Sequence, residues 1–325
     1  MPKWYETPKN DIITIMKKKS VKNRIITVLV IILAVFFLIL MPVVSLLTYS
    51  SVFGIRYQTP EERMLYPEDF PGLIQERESF TSNEDQTLAG YFYHRDGMDP
   101  KGVVIMAHGI GGGGHNPYMI SANNFTENGY YVFAYDATGN DNSEGSSVRG
   151  LPQGVIDLDY AISYVEKSEK FAGLPIFLFG HSWGGYSVTS VLNEHPEVTG
   201  VCSVSGFNKS LDLIQAQGEQ MIGPAINIML PYLSLYEKIK FGKYSTQTGM
   251  DGFEKTDAHI LIVHSADDDT VPIIYGYDIY YEKYGNDPGF EFIRYEDQGH
   301  NHILSMEDNP GLMESIVAFY DSCLE

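Results

Sequence analysis

Over most of this 325-residue chain the apolar residues fall into short unbroken runs, set apart by polar and glycine-rich stretches. Runs at 88–95, 102–108, 129–136, 174–179, 198–205, 258–263 and 290–295 are of strand length, and all but the last, which holds Glu291 and Arg294, are nearly free of charge, the pattern of strands buried on both faces. Stretches of helical length lie among them, at 151–169, 184–195, 273–284 and 311–322. The alternation predicts an α/β domain on a mostly parallel sheet flanked by helices. Residues 75–325 are enough chain for one large core, and no internal repeat divides them.

One interval breaks the rhythm. Between the run ending near Ser205 and the one starting near His259, residues 208–257 carry Leu211, Ile214, Met221, Ile226, Met229 and Leu233. Such density predicts a small helical cap with an apolar face over the site, although packing onto the sheet alone explains it equally well. In either arrangement an apolar cover suits an acyl or other hydrophobic substrate. Met221, Met229 and Tyr232 make its wall adaptable rather than sharply selective.

The start of the chain is different in kind. Ile25 to Leu47 is 23 residues without a charge, long enough to cross a hydrocarbon layer of about 30 Å as a helix. Ahead of it, seven basic residues against Glu6 and Asp11 leave residues 1–24 at +5. The positive-inside rule therefore expects a single-pass protein of the cell membrane, with a cytoplasmic N-terminus and the rest outside. A cleaved signal peptide is the rival, but its apolar region runs only about 7–15 residues and ends in small side chains, unlike Leu46, Leu47, Thr48 and Tyr49. Residues 48–74, rich in proline and charge, are expected to be a linker. Removal of residues 1–50 is then expected to leave a folded domain.

The whole chain carries −20, so residues 25–325 carry −25 once the basic start is set aside. Nucleic acid is excluded as a partner, and solubility outside the membrane is the simplest meaning of the charge. Cys202 and Cys323 are the only cysteines. That argues against a disulfide scaffold in an extracytoplasmic domain, leaving at most one bridge. The histidines and acids lack the close spacings of zinc ligands, so no metal is expected.

The chemistry-bearing stretch is Gly180, His181, Ser182, Trp183 and Gly184, directly behind the apolar run 174–179. It reads as a strand ending in a turn so sharp that only glycine fits two residues either side of the serine. Activating a serine takes a base, a carboxylate to orient that base, and N–H donors for the oxyanion. Each has a candidate behind a predicted strand. The glycines at 109 and 111–114 follow His108 at the end of the run 102–108; Asp267, Asp268 and Asp269 follow 258–263; His300 and His302 follow 290–295. The chain order is serine, acid, histidine.

In these motifs the chain resembles an α/β-hydrolase, from about residue 75 to the end, of the esterase, lipase and serine-aminopeptidase-like branch. The segment from Tyr135 to Gly145 also resembles that family's stretch after its fourth strand. The resemblance implies Ser182 as nucleophile, Asp268 as the acid by its offset from Val271 and Pro272, and His300 as the base after Gly299. It also implies the backbone N–H groups of Ile110 and Trp183 as the oxyanion hole. His302 is the alternative base, and Ser265 stands where the family often has glycine. His108, His181 and His264 read as packing or turn residues.

The expected activity is thus that of a membrane-anchored serine hydrolase, foremost a carboxylesterase acting on a small-molecule or lipid-like acyl ester, with no cofactor. A serine peptidase or acyltransferase would use the same residues, and a non-enzymatic surface protein would use the same scaffold.

Overall fold

The computed structural model describes residues 9–305 and 307–325. The strands are β1 (Ile74–Thr81), β2 (Thr87–His94), β3 (Gly102–Ala107), β4 (Tyr130–Tyr135), β5 (Ile176–His181), β6 (Gly200–Val204), β7 (His259–Ser265) and β8 (Phe290–Tyr295). The α-helices are α1 (Lys9–Val35), α2 (Met41–Phe53), α3 (Met119–Glu127), α4 (Leu151–Lys167), α5 (Trp183–Ser190), α6 (Ser210–Ile222), α7 (Ile226–Phe241), α8 (Gly249–Phe253), α9 (Tyr277–Tyr284) and α10 (Gly311–Ser322).

The strands form one sheet in the order β1-β2-β4-β3-β5-β6-β7-β8. β2 is antiparallel to both its neighbours, and all other pairs are parallel. A parallel strand with helices on both sides has no solvated face, which is why every residue of β3 is buried. The helices α3 and α10 cover one face, and α4, α5 and α9 cover the other. Because β3, β5, β7 and β8 run the same way, the loops that leave them gather at one edge of the sheet. This is an α/β-hydrolase fold with a cap, formed by α6, α7 and α8, inserted between β6 and β7.

Two elements depart from the sequence reading. β1 carries Gln75, Glu76, Arg77 and Glu78 and has no apolar run, because it is an edge strand that pairs only with β2. Charge on such an edge discourages pairing with other chains. The second departure is the stretch expected as a linker, residues 48–74, much of which packs onto the domain. The helix continues to Phe53, and Ser45, Tyr49 and Phe53 are buried. Beyond it, the backbone of Tyr57 donates to Gly139 O at 3.0 Å and accepts from Asp141 N at 3.0 Å, while Thr59 N donates to Asp141 at 2.6 Å. Of the basic segment expected over residues 1–24, residues 1–8 lie outside the described residues.

The N-terminal helix is also interrupted in a particular way. Residues Phe36–Leu40 form a π-helical turn in which the Met41 N–H reaches back to Phe36 O. Continued by one residue, that register would pair Pro42 with Phe37 O, but proline has no N–H to give. The Phe37 carbonyl accepts instead from the hydroxyl of Tyr232 on α7, at 2.8 Å.

Candidate active site

Ser182 stands between the end of β5 and the start of α5 with φ 58° and ψ −116°, a conformation that costs a side-chain-bearing residue on the order of 1–3 kcal/mol. The glycines around it show how tight the turn is. A Cβ on Gly180 would lie 2.2 Å from Gly184 O, and one on Gly184 would lie 1.9 Å from Ala107 O. Helix α5 can start this close to strand β5, and to the end of β3, only because both positions lack a side chain.

The turn presents the Ser182 hydroxyl to His300, whose Nε2 accepts from Oγ at 2.9 Å. His300 Nδ1 donates to Asp268 Oδ2 at 2.7 Å. All three are buried or nearly so. Asp268 Oδ1 accepts from Val271 N at 2.8 Å and from Thr270 N at 3.0 Å, while His264 Nε2 lies 3.3 Å from Oδ2. Burial disfavours the charged carboxylate, but the bonds from His264, His300 and Val271 outweigh it and hold Asp268 well below the ordinary carboxylate range.

The other candidates for acid and base are placed elsewhere. Asp267 faces solvent and joins two loops: its Oδ1 accepts from Ser265 Oγ at 2.6 Å and from Gly299 N at 2.8 Å. Ser265 Oγ in turn accepts from Gln298 N at 2.9 Å. The serine found where glycine is common thus ties the acid loop to the loop that carries His300. Asp269 is exposed. His302 is exposed too and pairs with Asp308 at 2.9 Å.

Ile110 borders the space over Ser182 from the loop after β3. Trp183 is the first residue of α5, so its N–H is among those that a helix start leaves without an intrahelical acceptor. Its indole is buried and donates to Leu151 O at 2.7 Å.

A second chain of bonds, not legible in the sequence, runs from the glycine loop to His300. Gly109 N donates to the Tyr118 hydroxyl at 3.0 Å, Tyr118 donates to His181 Nδ1 at 2.9 Å, and His181 Nε2 donates to the carbonyl of His300 at 2.9 Å. Burial, and then the neighbouring His300, push the His181 pKa down to about 3, so this ring stays neutral. His108 joins the same loop to the segment after β4, with Nδ1 2.7 Å from Gly109 O and Nε2 accepting from Ala137 N at 2.9 Å. No pattern around Tyr118 marks it in the sequence.

Ser182 lies between two cavities. One, of about 330 Å³, is apolar and walled by α2, α6 and α7, with Ile110, Leu151 and Val271. The other, of about 390 Å³, is more polar, with the glycine loop, Tyr118, His300, Asn301 and Arg63 around it. Among the described residues neither lining contains an aspartate or glutamate. One group elsewhere, Glu166, His195 and Glu197, brings possible metal-ligating atoms within 4.8 Å of one another. His195 is already bonded to Asp159 at 2.9 Å, and none of the three borders Ser182.

Residues 98–265 match the family model described as serine aminopeptidase, S33. The chain belongs to this family. Among curated proteins this α/β-hydrolase is similar to human monoglyceride lipase, 28% identical over 170 residues, which is 52% of this chain and 53% of that one. It is 31% identical over 130 residues to caffeoylshikimate esterase of Arabidopsis thaliana, covering 36% of this chain and 39% of the relative. The third relative, phospholipase YtpA of Bacillus subtilis, is 26% identical over 140 residues, 40% of this chain and 52% of that one. The chain thus spans about half the length, or less, of the curated relatives it matches. Among solved structures it superposes on the Pyrococcus furiosus esterase Pf2001 with a TM-score of 0.64 at 15% identity, over 83% of this chain and 99% of that one. The acylaminoacyl peptidase of Pyrococcus horikoshii gives 0.58 at 17%, over 78% and 42%. At these identities the structures speak to the fold alone.

Proposed function

We propose that the chain is a serine hydrolase of carboxylic esters, held in the cell membrane by its N-terminal helix, with a cytoplasmic N-terminus and the hydrolase domain outside. The observation that carries the reading is the continuous run of bonds from Ser182 Oγ through His300 to Asp268, 2.9 Å and 2.7 Å long. In this reading Ser182 Oγ attacks the ester carbonyl carbon as its proton passes to His300 Nε2. Asp268 stabilises the imidazolium, and the N–H groups of Ile110 and Trp183 receive the oxyanion. The imidazolium then returns the proton to the departing alcohol. Water attacks the acyl-enzyme with His300 again as base, releasing the acid and restoring Ser182.

The two cavities support a division of labour, with the acyl group in the apolar one and the leaving group in the polar one. An amide reading has the family's description behind it, since an aminopeptidase belongs to the same branch. Holding the free α-ammonium of a peptide calls for an acceptor carboxylate, and the linings of both cavities favour an ester in lacking one among the described residues. The positive-inside charge pattern and the 23-residue apolar run support the anchor. Labelling with a fluorophosphonate probe tests the central point: the wild-type chain is expected to label and Ser182→Ala is not. An unlabelled wild-type chain, shown to be folded, would refute an activated serine.

A further inference from the structure

We propose that the tip of the cap, where α6 turns into α7, is seated in the bilayer beside the N-terminal helix, so that the apolar cavity fills from the membrane. The substrate is then a bilayer-resident acyl ester whose chain passes from the leaflet to Ser182. This names the substrate class of the hydrolase reading and rests on it.

Composition points the same way as geometry. No charged residue falls between Glu219 and Glu237. Within that stretch Met221 is 74% exposed, and Ile222, Ile228 and Leu235 are also exposed. Ile228, Tyr232, Leu235 and Ile239 follow one another at helical spacing, so α7 turns one apolar stripe outward. A soluble surface rarely carries such a patch without something to cover it.

What covers it follows from where the stripe lies. Its Tyr232 donates to the carbonyl of Phe37, inside the uncharged helical run. An upright helix carries Phe37 about 18 Å past Ile25, within a hydrocarbon layer of about 30 Å. In hydrocarbon no water can satisfy a carbonyl that Pro42 has left without a donor, and the cap tyrosine does so. If residues 25–47 are in the bilayer, the start of α7 is at its level.

The cavity is built across the same junction. Thr48, Tyr49 and Val52 come from the N-terminal helix, and Leu213, Met221 and Ile222 from α6. Val52, Met221 and Ile222 are exposed, so the apolar wall that ends at Ser182 continues to the surface beside the anchor. A chain leaving the leaflet there would not need to cross water.

The test uses the full chain reconstituted in phosphatidylcholine–phosphatidylglycerol vesicles, with p-nitrophenyl palmitate in the bilayer and p-nitrophenyl acetate in water. Ile228→Asp/Leu235→Asp alters the outer stripe and neither residue that lines the cavity nor one near Ser182. It is expected to keep acetate turnover within about twofold and to lose about tenfold or more on the palmitate ester, because aspartate resists entry into hydrocarbon. Unchanged palmitate turnover would overturn the proposal. Should both substrates fall together through misfolding, Ile228→Trp decides: its added fluorescence is expected to be quenched by brominated lipid, and lack of quenching overturns the proposal. Acetate hydrolysis that survives Ser182→Ala would sink the serine-hydrolase reading alone, since lipid quenching does not depend on catalysis.

Discussion

The hydroxyl of Tyr49, near the end of the N-terminal helix, donates to the buried carboxyl of Glu237 on the cap at 2.8 Å, and Ser210 bonds the same carboxyl at 2.9 Å. Helix, cap and the first turn of α6 thus meet at one acid. Burial raises its pKa from the ordinary 4.5 to about 7, and the bonds from Tyr49 and Ser210, with the charge of Lys240, only partly oppose this. The folded chain therefore holds a proton that the unfolded chain releases. Its stabilising contribution is complete below about 4.5, declines as pH rises and is gone above about 7. Glu237→Gln keeps the shape without the titration. Thermal unfolding in detergent is expected to show wild type losing several degrees relative to Glu237→Gln between pH 5 and pH 8, in line with about 3 kcal/mol. Parallel profiles for the two chains would contradict it.

Because Tyr49 is 3% exposed and packs on Phe53 and Tyr236, at centroid distances of 4.6 Å and 4.9 Å, the domain does not end at the linker. Deleting residues 1–50 removes Tyr49 and part of the cavity wall. That truncation is expected to give a poorly folded chain, contrary to the expectation from sequence, whereas removal of residues 1–24 leaves these contacts intact. Tyr49→Ala should cost on the order of 3–5 kcal/mol, as for other buried aromatic rings, measured by denaturant unfolding. A 1–50 deletion as stable as the full chain would show that the packing of α2 adds nothing.

With a p-nitrophenyl ester, Ser182→Ala and His300→Ala are each expected to lower turnover by about 10⁴–10⁶, and the double variant by little more. Asp268→Asn should cost somewhat less, because the imidazole keeps its place but loses its acceptor. Asp267→Asn and Asp269→Asn are expected to stay within about tenfold of wild type, the former weakening only a loop tie. His302→Ala should be nearly silent, given its exposure and its pairing with Asp308. Dependence on His302 in place of His300 would reassign the base.

How far the sequence could be read follows from how locally each feature is encoded. The buried strands were legible because a strand covered on both faces must be apolar throughout, as β3 is. β1 was not, since an edge strand is stabilised by its neighbour's backbone and is free to be polar. That Ser182, an acid among 267–269 and a histidine at 300 or 302 stand just past strand ends could be expected from the hydrophobic pattern, whereas the choice of Asp268 and His300 among them came from the family resemblance. The contacts of Tyr118, His181, His264 and Ser265 could not, as they join loops remote in sequence. The same holds for the N-terminal helix: its apolar run marks residues 25–47, but the helix runs on to Phe53, and only the fold puts Tyr49 opposite Glu237, 188 residues away.

Tyr118→Phe would interrupt the chain from Gly109 N–H to the carbonyl of His300 at its middle, leaving both the amide and His181 Nδ1 without their partner. The ring is retained, so the packing is kept, and each orphaned buried group costs roughly 1–3 kcal/mol. Tyr118 borders the polar cavity and has no place in the apolar one, so acyl binding should change little. What moves is the loop that carries Ile110 and the backbone of His300. Turnover is therefore expected to fall by about tenfold or more while KM stays within about threefold, since the loss lies in the transition state rather than in binding. Fluorophosphonate labelling should slow in proportion, because it uses the same serine and base. A rise in KM at unchanged turnover would place Tyr118 among the binding residues and leave this relay without a role.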